Sequence, residues 1–180
     1  MELTTKYLER AIIFATEKHK GQIRKGNGRP YILHPLSVMQ HLYNYKKSKN
    51  INILAMATVL HDCLEDTDTT IEEIAELFGY HVASIVIELT SDNDKIKEQG
   101  KAPYLLAKML GMSSYALVIK LCDRLDNIND MVDMNENFRI KYIKETNFIL
   151  NGLLDNNNGR FLSKTHLRLI KEIRKSIKKY

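Results

Sequence analysis

Apolar residues recur at helical spacing along nearly the whole chain, and this makes an all-α fold the expectation. The one segment with strand character, "HVASIVIELTSD" (81–92), has no second such segment to pair with, so it too is predicted to be helical. A first helix is predicted over Thr4–Lys20, capped by Thr4 or Thr5 and closed by Gly21. "GQIRKGNGRPYILHP" (21–35) holds three glycines and two prolines and reads as a loop, with Pro35 opening a helix over Leu36–Tyr45. A third helix is predicted over Ile51–Glu65. A fourth starts from a threonine cap followed by Glu72 and Glu73 and ends at Gly79. Residues 91–113 are expected to form the only long irregular segment, ahead of helices over 114–131, 136–154 and 163–179. No repeat or linker interrupts the 180 residues, so one helical-bundle domain over 1–180 is expected.

The third helix poses a problem of charge. "INILAMATVL" (51–60) runs straight into "HDCLEDT", which carries His61, Asp62, Glu65 and Asp66. An unpaired charge taken out of water costs several kcal/mol or is forced to neutralise. On a continuous helix, 61/65 and 62/66 would form two lines about 100° apart. Imidazole with carboxylate suits Mn, Fe or Zn; a capped helix end with His61 bonded to the backbone is the other reading, and this stretch alone does not choose. Two further stretches repeat the oddity. "YILHP" sets His34 on a proline-flanked turn, and "YALVIKL" ends in Asp123, Arg124, Asp126 and Asn127. Convergence of His34, His61, Asp62 and Asp123 on one divalent ion is therefore expected.

Net charge is +5, but residues 163–180 hold seven Lys or Arg against one Glu, so the rest of the chain is close to neutral. That places the basic character on a tail helix and argues against nucleic acid as a partner. Leu167, Ile170, Ile173 and Ile177 form one stripe of this helix. It is expected to close the core, with an anionic membrane or nucleic acid as the competing use. No apolar run approaches the length of a membrane span, and the N-terminus lacks the layout of a signal peptide, so a cytoplasmic protein is expected. Cys63 and Cys122 are too few for a disulfide framework and are expected to be buried core residues. His19 and His41 read as structural, His81 and His166 as surface residues. Met109, Met112, Met131 and Met134 read as gap fillers.

His34, His61–Asp62 and Asp123, in that order, resemble the His…HD…D pattern of the HD superfamily of metal-dependent phosphohydrolases. In more detail "AIIFATEKHKGQIRK", "PYILHPLSV", "ATVLHDCLEDT", "FGYHVASIVIELT" and "KLCDRLDNI" resemble the hydrolase domain of the RelA/SpoT family, covering about residues 10–130. The resemblance implies an HD-domain bundle, with helices 136–180 packed on the motif core, that removes pyrophosphate from the 3′ position of (p)ppGpp. Because no synthetase region follows within the chain, it looks like a stand-alone small alarmone hydrolase. The resemblance implies Mn²⁺ on His34, His61, Asp62 and Asp123, although ligand chemistry alone also fits Fe²⁺ or Zn²⁺. It implies that Glu65 and Asp66 orient the water and move its proton, and that Arg24, Lys25 and Asn127 contact the nucleotide. Tyr31, Arg139 and Tyr142 are further candidate substrate contacts, and Lys95, Lys97 and Lys101 candidates for the 5′ phosphates. Activity on (p)ppApp or on the 2′-phosphate of NADPH, or a nucleotide-sensing module without turnover, are the alternatives.

Overall fold

The computed structural model describes residues 2–155, 159 and 161–180, with the side chains of residues 2–5 left aside. Among these residues the secondary structure is helical apart from one isolated bridge between Ile23 and Pro30, so the all-α expectation holds. The helices are α1 (Glu2–Lys18), α2 (Leu33–Tyr45), α3 (Ile51–Val59), α4 (Cys63–Asp66), α5 (Ile71–Phe78), α6 (Tyr80–Leu89), α7 (Asn93–Gln99), α8 (Lys101–Gly111), α9 (Ser114–Asn129), α10 (Glu136–Leu154) and α11 (Lys164–Ile177). The chain forms two compact units, Met1–Thr90 and Ser91–Tyr180.

In the first unit α3 is the central helix. Every residue from Leu54 to Leu60 is buried, as expected of a helix apolar on all sides. α1, α2 and α6 pack against it, and α5 packs on α6. α1 starts before the threonines proposed as its cap, and the side chains of Thr4 and Thr5 lie outside the described residues. α2 also begins earlier than predicted, which puts His34 and Pro35 in its first turn, where a missing N–H costs nothing. Thr70 caps α5 by accepting from the Glu73 amide, and Gly79 ends it at φ 89°, both as predicted.

The second unit corrects the reading of 91–113 as irregular. Asp92 accepts from the Asp94 and Lys95 amides and so starts α7, while Gly100, at φ 81°, turns the chain directly into α8. Pro103 falls in the first turn of α8, where it is harmless. α8 packs on α7 and α10, and α11 packs on α9 and α10. The buried stripe of α11 is His166, Leu169, Ile170, Ile173 and Ser176, whereas Leu167 is 45% exposed. The tail helix thus closes the core of its unit, on a stripe rotated from the predicted one. His166, expected at the surface, is buried at its start: Nδ1 accepts from the Ser163 amide at 3.1 Å and Nε2 donates to the Ser114 carbonyl at 3.1 Å. Cys63, Cys122, Met109, Met112 and Met131 are buried as expected. Among the described residues no helix is long and apolar enough to cross a membrane.

Candidate metal centre and its acids

The predicted helix over Ile51–Glu65 is broken, and the break builds the site. Leu60 (φ −93°, ψ 0°) and Asp62 (φ −98°, ψ −6°) occupy the sparsely populated bridge region. The His61 and Cys63 amides reach back only three residues, to Thr58 and Leu60. His61 Nδ1 donates to the Thr58 carbonyl at 2.7 Å. In a continuous helix that carbonyl would accept from the Asp62 amide. The side chain of His61 therefore takes the hydrogen bond that would have carried the helix on. α4 starts afresh from Asp62, and the two straight lines of 61/65 and 62/66 do not form.

The same hydrogen bond sets the ring's chemistry. With the proton held on Nδ1 by a carbonyl, the neutral imidazole presents its Nε2 lone pair, as metal-ligating histidines commonly do. Nε2 faces Asp62 Oδ2 at 3.1 Å, and His34 Nε2 lies 3.6 Å from the same oxygen. Both histidines are buried, His61 at 1% exposure and His34 at 3%. Acceptors brought this close in a dry place repel unless a proton or a cation lies between them. Two imidazoles and a carboxylate are a donor set that fits a divalent transition ion. Tyr31, on the loop before α2, donates its hydroxyl to Asp62 Oδ2 at 2.7 Å, with Asp66 Oδ2 beside it at 3.3 Å.

Glu65 and Asp66 are both exposed. Desolvation by the surrounding protein pushes the Asp66 carboxyl above its ordinary range, the charges of Asp62 and Glu65 push it further, and the Tyr31 hydroxyl opposes them. Beneath them the Cys63 thiol is pushed up to about 12, chiefly by burial and then by Asp62, so it stays a protonated core residue. Arg24 and Lys25 sit at the tip of the loop that Ile23 and Pro30 close. Arg24 pairs its backbone with Arg29, and the Lys25 side chain is exposed.

In the second unit, Asp123 on α9 is 8% exposed and pairs with Lys120 Nζ at 3.0 Å. Asn127, one turn on, donates to Asp123 Oδ1. Lys120 was missed by the sequence reading, although its place three residues before an acid on one helix face marks it as a partner. Arg124 is buried, bonds Glu145 at 3.2 Å and Thr146 Oγ1 at 2.9 Å, and lies 5.1 Å over the Tyr142 ring. Burial works against its charge, but Tyr142, Glu145 and Asp123 more than offset that and raise its pKa. Arg139 lies over the Tyr180 ring at 5.9 Å, and Lys95 and Lys97 pair with Asp92 and Asp94.

The HD-domain profile matches residues 11–159. The chain belongs to the HD-domain family. Within that family it is 37% identical over 164 residues to the guanosine-3′,5′-bis(diphosphate) 3′-pyrophosphohydrolase MESH1 of Xenopus tropicalis, covering 79% of this chain and 87% of that protein. It is 42% identical over 142 residues to an enzyme of the same description from Aquifex aeolicus, covering 77% of this chain. Of that longer relative the chain spans only 20%. A solved structure described as a metazoan ortholog of SpoT that hydrolyzes ppGpp superposes with a TM-score of 0.77 at 26% identity, covering 94% of each chain.

Proposed function

We propose that this chain is a metal-dependent hydrolase that removes the 3′-pyrophosphate of (p)ppGpp, giving GDP from guanosine 3′,5′-bis(diphosphate) and GTP from its 5′-triphosphate form, with pyrophosphate released, and that it works in the cytoplasm as one domain over 1–180. The observation that carries this reading is the pair of buried imidazoles facing Asp62, in a chain that covers 87% of a relative described as such an enzyme. His34, His61, Asp62 and Asp123 are the proposed ligands, with Mn²⁺ favoured by the resemblance and Fe²⁺ or Zn²⁺ fitting the same donors. An ion held there would supply polarisation of a phosphoryl oxygen and acidification of a water.

The remaining work falls to the side chains. Glu65 and Asp66 orient the attacking water and accept its proton, and the raised pKa of Asp66 brings that carboxyl nearer the range useful for proton transfer. Arg24 can stack on the purine and Lys25 meet a phosphate or base carbonyl from the exposed loop tip. Tyr31, Asn127, Arg139 and Tyr142 are the further proposed contacts. Asn127 and Tyr31 already hold the carboxylates of Asp123 and Asp62, so their contribution combines substrate contact with ligand orientation.

The deciding experiment incubates the protein with ppGpp, pppGpp, ppApp, NADPH and plain 5′-nucleotides in the presence of Mn²⁺, following pyrophosphate and phosphate. Pyrophosphate release from ppGpp, lost with chelator and restored by Mn²⁺, is the expected result. Turnover of plain 5′-nucleotides alone would overturn the alarmone assignment, and no turnover of any substrate would overturn the enzyme assignment.

A further inference from the structure

α4 carries both proposed catalytic acids, yet it is a single turn of four residues. So short a helix has almost no stability of its own, because one turn barely outlasts the cost of its nucleation. Something outside it must fix where Glu65 and Asp66 point. The structure supplies a chain of hydrogen bonds whose direction can be read without ambiguity. Gln22 Nε2 donates to the Asp66 backbone carbonyl at 2.8 Å. The Gln22 Oε1 left over faces His19 Nδ1 at 2.8 Å. An amide oxygen only accepts, so Nδ1 carries the ring proton. Nε2 of His19 is then the acceptor, and the Cys63 sulfur lies 3.7 Å from it, where a protonated thiol donates.

We infer that His19 and Gln22 are positioning residues for the reaction, forming a latch that runs Cys63 S–H to His19, His19 N–H to Gln22, and Gln22 N–H to the Asp66 carbonyl. It grips α4 at both its first and its last residue from the end of α1. His19 is 3% exposed, so water does not compete for its bonds. The Tyr31 ring packs on His19 at a centroid distance of 4.9 Å and holds the imidazole plane. Lys18, next along, adds ion pairs at 3.1 Å to Asp68 and 3.2 Å to Glu73. Neither His19 nor Gln22 hydrogen-bonds a side chain of the proposed ligands or acids. The His19 ring also lowers the pKa of Asp66 from a distance, but the latch itself acts on where the acids stand.

The catalytic half of this inference rests on the proposed hydrolase activity; the structural half does not. In Gln22→Met the shape is kept and both bonds are lost. His19→Leu removes the imidazole, and His19→Asn restores only the donor to Gln22, since an asparagine amide falls near the place of Nδ1. Amide hydrogen exchange at Glu65–Thr67 should be at least about tenfold faster in Gln22→Met and His19→Leu, with exchange in α6 unchanged, and should be slowed again in His19→Asn. With ppGpp, kcat should fall about 10- to 100-fold in the first two variants while KM and bound metal stay within about twofold, and His19→Asn should recover most of the loss. Unchanged exchange at 65–67 in the folded variants overturns the latch whatever the substrate proves to be. Faster exchange with unchanged kcat overturns its positioning role. If the wild type leaves ppGpp intact, the hydrolase reading fails and the exchange comparison still decides the latch. Should Gln22→Met not fold, the His19→Leu and His19→Asn pair carries the same comparison.

Discussion

Asp62 and Glu65 stand three positions apart on one backbone turn, yet they should fail in different ways when removed. Asp62 Oδ2 is the atom both buried imidazoles face, at 3.1 and 3.6 Å. Asp62→Ala should therefore lose bound metal and turnover together. Because an ion that binds only the folded state stabilises it by mass action, the variant should also lose the metal-dependent part of its stability, about 2.7 kcal/mol at a hundredfold excess over Kd, and melt at a lower temperature. Glu65 is exposed and is proposed to act on the water, so Glu65→Gln should keep its metal and its melting temperature and lose about 10²- to 10⁴-fold in kcat. Metal stoichiometry and calorimetry on both variants check this. Metal loss in Glu65→Gln would move that residue among the ligands.

At the scale of elements, the clearest constraint is where helices approach closely. A Cβ on Gly152 of α10 would stand 2.4 and 2.7 Å from the two terminal carbons of Leu106 on α8. Gly152 lies in the last turn of α10, where alanine gains less over glycine than the ~1 kcal/mol of a helix interior. The atoms met are the far end of the half-buried Leu106 side chain, which can swing aside, so Gly152→Ala should shift stability by no more than about 1 kcal/mol. In a double-mutant cycle with Leu106→Ala the two changes should couple favourably, which urea unfolding measures directly. α11 offers a second check. Ile173 is fully buried, and Ile173→Ala should cost about 2–5 kcal/mol, whereas Leu167→Ala, at a 45% exposed position, should cost well under 1. A helix free to lie on a membrane would show no such contrast.

For the molecule as a whole, chelation is the informative perturbation. Removing the divalent ion should lower the melting temperature of the wild type and leave Asp62→Ala unmoved, since the ion's binding energy is part of the folding energy only where the ligands can gather. Scanning calorimetry with and without chelator, followed by re-addition of Mn²⁺, Fe²⁺ or Zn²⁺, reads both the dependence and the preferred metal. The basic tail gives a complementary test. With its apolar stripe buried in the second unit, the protein should not sediment with anionic liposomes at physiological salt. Firm, salt-sensitive binding would show that α11 leaves the core.

The sequence by itself determined the helical class and most helix positions, and it singled out His34, His61 and Asp62, which the structure brings together, because these depend on local information. Apolar spacing marks which face of a helix is buried, and imidazoles and acids set against apolar runs stand out on grounds of charge alone. Caps at Thr70 and breaks at Gly79 were legible for the same reason, since their hydrogen bonds lie within a few residues. What only the tertiary structure decided was the course of the chain from Thr58 to Asp66. Periodicity carried a helix through it, but the Thr58 carbonyl accepts from the His61 side chain and amide in place of the Asp62 amide, and that choice depends on where His61 must point. The rotation of α11's buried stripe, the burial of His166 against the Ser114 carbonyl and the latch from Cys63 to Asp66 share this origin. The His166 bond spans 52 positions and the two bonds that tie the latch to α4 span 44 each, and a pattern read over a dozen residues contains nothing about such partners.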